Sequence, residues 1–221
     1  MIALSHQASF LSSKTPRPIQ TDNFTEFLFR QYAPSNFQIA FHFESYDTFI
    51  HTPIIRKEIR SLKTSNDGHY TVYLPAYQHE YLVNYLSKWP QIKWQVFAKN
   101  LKQAYQIENI KVCPVQNESF NNSLASCAGL LTGGGFEAPA EALFLGKKVF
   151  SVPMKGQYEQ ICNAEALHKM GIPVVHELDE SAEILLDKWL EAPHGPKITF
   201  PDNVEQVVAQ LLNLISKTAL V

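Results

Sequence analysis

The densest chemistry in the chain lies between residues 132 and 163. Thr132-Gly133-Gly134-Gly135-Phe136-Glu137-Ala138-Pro139-Ala140-Glu141 sets three glycines directly before a helix-forming run. Glycines there permit close backbone approach, and a helix start directs free N–H groups and a positive dipole end at whatever lies above it. Phosphate suits such a place. A tight strand-to-helix turn accounts for the same residues, and neither the Gly-x-Gly-x-x-Gly nor the Gly-Lys-Ser/Thr spacing is present. Glu137 and Glu141 are four apart, on one helical face. Glu141, set among Ala138, Ala140, Ala142 and Leu143, is suited to accept two ribose hydroxyls, whereas two solvated carboxylates favouring the helix dipole are the plainer alternative. A second cluster, Gln157, Glu159, Gln160 and Asn163, concentrates amides and a carboxylate at the next helix start. Such groups fit sugar hydroxyls or ordinary capping, and are poor covalent catalysts.

Other reactive types carry less. The eight histidines form no His-x-x-x-His pair, and Cys113, Cys127 and Cys162 are too few and too scattered for a disulfide framework, so no metal site is expected and a reduced, cytoplasmic setting fits. His6 could act as an acid or base facing a cleft, but a surface or capping histidine explains it as readily. Ser126-Cys127 lacks a nucleophile elbow. Cys127, Trp89 and Trp94 read as packing. No catalytic residue is assigned.

The elements that must hold these residues alternate. Strands are expected at 69–74, 92–97, 110–113, 128–132, 148–152 and 172–175. Helices are expected at 78–89, 118–126, 136–145 and 157–170, with Gly171 as C-cap and an irregular or helical piece at 101–105. This is the signature of an α/β doubly wound parallel sheet, Rossmann-like, which binds ligands beyond the carboxyl ends of its strands. An amphipathic helix at 203–217 closes the chain. Residues 1–50 differ: a short helix around Phe24, Phe27 and Leu28 and an extended run 37–43 are too little for a core of their own. The expected division is therefore a short N-terminal appendage, 1–50, and a ligand-binding domain, 51–221.

Composition is that of an ordinary globular chain of 221 residues, 45% hydrophobic and 18% charged. Nineteen basic against twenty-one acidic residues imply no general polyanion-binding surface, so no nucleic-acid partner is expected. No signal peptide is expected, since Met1-Ile-Ala-Leu is too short an apolar stretch, and Ser119–Phe136, the longest uncharged run, is too polar to span a bilayer. Peripheral membrane association stays open.

Taken together, the Gly-Gly, Glu-Ala-x-x-x-Gly-Lys, Pro-ended strand and Gln-x-Glu-Gln-x-x-Asn-Ala order resembles the carboxyl-terminal, donor-binding domain of GT-B glycosyltransferases, nearest the MurG-like group, family 28. The likeness is strong over residues 108–175 and looser from 50 to 107. Residues 1–43 resemble the last pieces of an acceptor-binding domain, most of which lies outside the chain. The resemblance implies a UDP-sugar substrate, no cofactor or obligatory metal, and transfer of a hexosyl group to an unknown acceptor. It implies that Gly134 and Gly135, flanked by Gly133 and Phe136, meet phosphate and that Glu141 holds the ribose. Gln157, Glu159, Gln160 and Asn163 would face the sugar, and backbone at Pro114 and Val115 the base. Glu137-Ala138-Pro139 departs from the Ser/Thr usual after the glycines, and an inward Glu137 would repel a diphosphate. Alternatives are a non-catalytic binding subunit needing a partner chain or a homodimer, and, less well matched because its acid and base are not found, a UDP-sugar 2-epimerase.

Overall fold

The computed structural model describes residues 1–32, 35–196 and 198–218. The first lobe begins with β1 (Ile2–Ser5), a 3-10 turn (Gln7–Leu11), α1 (Asn23–Tyr32), β2 (Phe37–Phe41) and β3 (Ile50–His51). Asp22 starts α1, its Oδ1 accepting the N–H groups of Phe24 (3.0 Å) and Thr25 (3.3 Å). The three strands form a parallel sheet in the order β1-β2-β3. Ala8, Ala40 and Ile50 make a small core beneath it. Phe10 reaches out of this lobe to pack with Tyr158 and Cys162 of the second, so the appendage shares a core with its neighbour.

After α2 (Lys57–Arg60) the chain enters the larger sheet: β4 (His69–Tyr73), α3 (His79–Leu86), β5 (Lys93–Ala98), β6 (Tyr105–Ile107), β7 (Ile110–Pro114) and α4 (Asn117–Ser126). It continues through β8 (Gly129–Thr132), α5 (Glu137–Phe144), β9 (Lys148–Ser151), α6 (Tyr158–Lys169), α7 (Glu180–Glu191) and α8 (Val204–Thr218). The strand order is β6-β7-β5-β4-β8-β9, parallel throughout except for β6. Continuous apolar strands such as Val72, Val96, Val112, Leu130, Leu131 and Phe150 are buried, as both faces of a parallel sheet require. On one face α3 and α7 cover Trp94 and Phe150. On the other, α4, α5 and α6 enclose Leu124, Leu143, Val149 and Leu167.

Two local expectations are corrected and one helix is added. Residues 101–104 are irregular, and Tyr105 opens β6, an antiparallel edge strand turned back on β7 through Glu108 at φ 49°. The strand expected at 172–175 shrinks to one bridge, Val174 to Ser151, because Pro173 has no N–H to extend the ladder. The sequence reading passed over α7. Its cap is nonetheless visible in the sequence: Asp179 Oδ1 accepts the N–H of Ala182 at 2.9 Å, and Ala182, Leu186 and Trp189 follow at helical spacing.

The paired lysines after Gly146 are buried. Lys147 Nζ donates to the carbonyls of Ser65 (2.6 Å) and Cys127 (2.9 Å). Lys148 Nζ lies among Tyr70 Oη (2.9 Å) and the carbonyls of Trp189 (2.8 Å), Leu190 (3.0 Å) and Ala192 (2.7 Å), closing the carboxyl end of α7. Burial pushes its ammonium below the ordinary lysine range.

The last helix returns to the first lobe. α8 packs on β2 with Val207 buried, and Gln210 Oε1 meets His51 Nε2 at 2.7 Å. Asn203 Nδ2 donates to the Thr52 carbonyl at 3.2 Å. No helix among the described residues is long and apolar enough to cross a membrane.

Candidate functional site

The strand order reverses at β4, with β5 on one side and β8 on the other. Ligands of open α/β sheets bind outside the carboxyl ends of the strands at such a switch point. The loop after β8 carries Gly133–Phe136, and the three glycines prove unlike one another. A Cβ on Gly134 would lie 2.4 Å from the Gln160 carbonyl oxygen and 2.9 Å from Pro153 Cβ, so this glycine lets α6 approach. A Cβ on Gly133 would meet Gln160 Oε1 at 3.4 Å, and one on Gly135 would meet nothing within 4 Å. Gly135 is thus the glycine that faces open space. Phe136 then begins α5 with no side-chain cap, and Pro139 removes one first-turn N–H, leaving this helix start unclaimed by side chains.

Glu141 is buried one turn further along α5. Its carboxylate is held by Arg56 from the inter-lobe segment, Nε to Oε1 at 2.6 Å and Nη2 to Oε2 at 2.9 Å. Arg56 Nη2 also points at Asn121 Oδ1 of α4 (3.4 Å), and Glu141, its nearest partner, holds the guanidinium above its ordinary range. Each carboxylate oxygen keeps a further lone pair, so ion pairing does not exhaust Glu141 as an acceptor. Glu137 is exposed. Arg56 was not recognised in the sequence; nothing about Pro53-Ile54-Ile55-Arg56 distinguishes it from a surface cation.

The amide cluster at the start of α6 does converge on the glycine loop. Gln160 Oε1 accepts the N–H of Gly134 (3.2 Å) and of Met154 (3.0 Å), while its Nε2 donates to Gln157 Oε1 (2.8 Å). Asn163, fully buried, donates from Nδ2 to the Gly134 carbonyl at 3.1 Å. Gln157 is exposed, and Glu159 is half-buried. Pro114 and Val115 end β7, Val115 exposed and donating its N–H to the Ala98 carbonyl at 3.3 Å. They stand two strands away from β4, so the polar cluster and the base-side backbone are separate parts of one carboxyl edge.

The first lobe reaches into the same place. Gln7 Nε2 donates to Glu159 Oε2 at 3.0 Å. The His6 ring stacks on Phe136, centroids 4.0 Å apart and planes 8° from parallel. Its Nδ1 lies 2.8 Å from the Phe41 carbonyl and its Nε2 lies 3.0 Å from Asn163 Oδ1 and 3.8 Å from Glu159 Oε1, so both ring nitrogens face oxygens. Burial holds His6 below its ordinary pKa, with the Phe41 carbonyl, Glu159 and Asn163 opposing. His6 therefore lies in the site, where the sequence left it between a cleft and a surface role.

Beside it, His42 is fully buried, its Nδ1 accepting the N–H of Phe43 at 2.9 Å. Desolvation first, then the nearby His6 and Arg17, push its pKa down to about 2. A histidine kept neutral by the fold contributes stability that is complete above the unfolded value, about 6.5, and is lost as pH falls below it. Between pH 6.5 and pH 5 the loss should reach about 2 kcal/mol. Urea titrations at pH 7.5 and 5.0 check this, and His42→Phe should flatten the difference; an equally steep acid loss in that variant would contradict it.

Among the described residues no group of three or more His, Cys, Asp or Glu is arranged to hold a metal. The architecture is that of the Rossmann-like domains of GT-B glycosyltransferases. The profile of glycosyl transferase family 1 matches residues 25–192, and the chain belongs to that family. Among solved structures, Arabidopsis thaliana UGT89C1 complexed with UDP superposes with a TM-score of 0.54 at 14% identity, covering 94% of this chain and 66% of that one. The glycosyltransferase SnogD from Streptomyces nogalater gives 0.48 at 12% identity, over 84% and 60%. Spinosyn forosaminyltransferase SpnP gives 0.46 at 14%, over 95% and 66%. The chain spans less than two thirds of the length of these structures. No curated protein matches it in sequence.

Proposed function

We propose that the chain is the donor-binding portion of a GT-B glycosyltransferase of the MurG-like type, holding a UDP-sugar for transfer of its hexosyl group to an acceptor. The observation that carries this is the pairing of an open Gly135 and uncapped α5 start with a buried carboxylate, Glu141, one turn away. The first suits a diphosphate, the second a ribose. Backbone at Pro114 and Val115 would meet the base, and Gln157 and Glu159 the sugar. In the reaction an acceptor hydroxyl attacks the anomeric carbon, the bond to the diphosphate oxygen breaks, and the α5 N-terminus stabilises the departing charge. The hydroxyl proton passes to a base on the acceptor side. Support for UDP in particular comes from the UDP complex of the plant neighbour.

Calorimetric titration with UDP and UDP-sugars tests the reading. Glu141→Ala should weaken UDP by about 1.5–3 kcal/mol, roughly ten- to a hundredfold. Wild-type protein that ignores UDP, or a variant that binds as well, would overturn it. A second reading, a binding subunit completed by a partner chain or by a second copy, is favoured by exposed apolar residues on α1 and β1 (Phe24, Phe27, Leu28 and Leu4). Turnover by the isolated chain while it sediments as a monomer would exclude it.

A further inference from the structure

Asn163 and Gln160 resemble sugar ligands by position, but their side chains are spent on one glycine. Gln160 Oε1 takes the N–H of Gly134 and Asn163 Nδ2 takes its carbonyl. A carbonyl only accepts, so the Asn163 amide is oriented with Nδ2 toward Gly134 and Oδ1 toward His6. The Gly134 carbonyl shares a planar trans peptide with the Gly135 N–H, and in such a peptide the two point in opposite directions. Fixing the carbonyl onto α6 therefore turns the Gly135 N–H away from α6. It has no acceptor among the described residues, and a Cβ at Gly135 would stand in open space.

We infer that Asn163 is a positioning residue for anion binding: by anchoring the Gly134 carbonyl it aims the Gly135 N–H outward as a donor to a phosphate oxygen. Asn163 itself, 0% exposed, touches no ligand in this arrangement. The other half of the clamp, Gln160, holds the N–H of the preceding peptide and ties the loop to Met154, so the peptides on the two sides of the Gly134 Cα are each fixed by a bond of their own. His6 supports the far side of the amide through ring stacking on Phe136. The inference rests on the donor-site reading for its physiological ligand, though the peptide orientation does not depend on it.

Two measurements separate the two ideas. Uridine, UDP and UDP-glucose are titrated into wild type and Asn163→Leu, which stays close to the shape and loses the donor without adding a charge. UDP should weaken about tenfold, the equivalent of one charge-assisted hydrogen bond, while uridine stays within about twofold. If UDP is unaffected and only the extra affinity of UDP-glucose disappears, Asn163 is a sugar ligand and the proposal falls. Independently, amide exchange and pyrophosphate titration followed by NMR address the peptide. In wild type Gly135 should exchange fast, Gly134 slowly, and the Gly135 resonance should move on adding pyrophosphate. Failure of UDP binding with this pattern intact removes the UDP reading and leaves the anion-positioning role. A Gly135 amide as protected as Gly134, or unmoved by pyrophosphate, overturns the role whatever the variants do.

Discussion

Gly134→Ala should destabilise the protein by about 3 kcal/mol, at the upper end for an overpacked site, whereas Gly135→Ala should leave the fold close to wild type. The reason is geometric. The new methyl at 134 meets main chain, the Gln160 carbonyl at 2.4 Å and its carbon at 3.0 Å, and also Pro153 Cβ at 2.9 Å. Main chain inside α6 cannot rotate aside as a side chain can, so the loop must retreat from the helix and lose the Gln160 and Asn163 hydrogen bonds with it. The Gly135 methyl meets nothing, and no positive φ requires glycine there. Chemical denaturation of the two variants separates the effects. Equal losses would mean that the glycines share one role.

The second large effect is expected at the amino edge of the sheet. Lys148→Met keeps the length of the side chain and removes the ammonium, leaving the carbonyls of Trp189, Leu190 and Ala192 without their shared donor. The cost should be about 3–4 kcal/mol, or roughly 10 °C in melting temperature for a chain of this size. Tyr70, which lies beside the ammonium and donates to the Leu190 carbonyl at 3.2 Å, limits the damage but does not replace it. Thermal unfolding checks this, and a change below about 1 kcal/mol would show that water satisfies the carbonyls instead.

Most of the large sheet was legible because its signals are local. Runs such as Tyr70-Thr-Val-Tyr and Leu130-Leu131-Thr132, each bounded by turn residues, announce buried strands, and Gly171 at φ 81° ends α6 as a C-cap glycine should. What stayed hidden depends on partners distant in sequence. Nothing near Arg56 reveals a carboxylate eighty-five residues away. The burial of Lys147 and Lys148 was not legible either, because a lysine tells nothing about which carbonyls will surround it. The glycine triplet was found, but its division into one packing glycine and one open glycine is a property of where α6 lies. Asn163 was placed beside a ligand by its type, but the bond from its Nδ2 to the Gly134 carbonyl depends on where α6 lies. β1 is only four residues long and lies at the chain start, where no flanking pattern marks it.

The return of α8 onto β2 orders events during synthesis. The first lobe leaves the ribosome before the large sheet, yet Val207 and Gln210, which pack on β2 and meet His51, follow after it. Until they arrive, this three-stranded sheet lacks one of its covers, while the large sheet already has every strand it needs. A lobe made before the large sheet is completed after it, through contacts that reach across 159 residues, an arrangement that slows folding and extends the exposure of an uncovered strand edge to neighbouring chains.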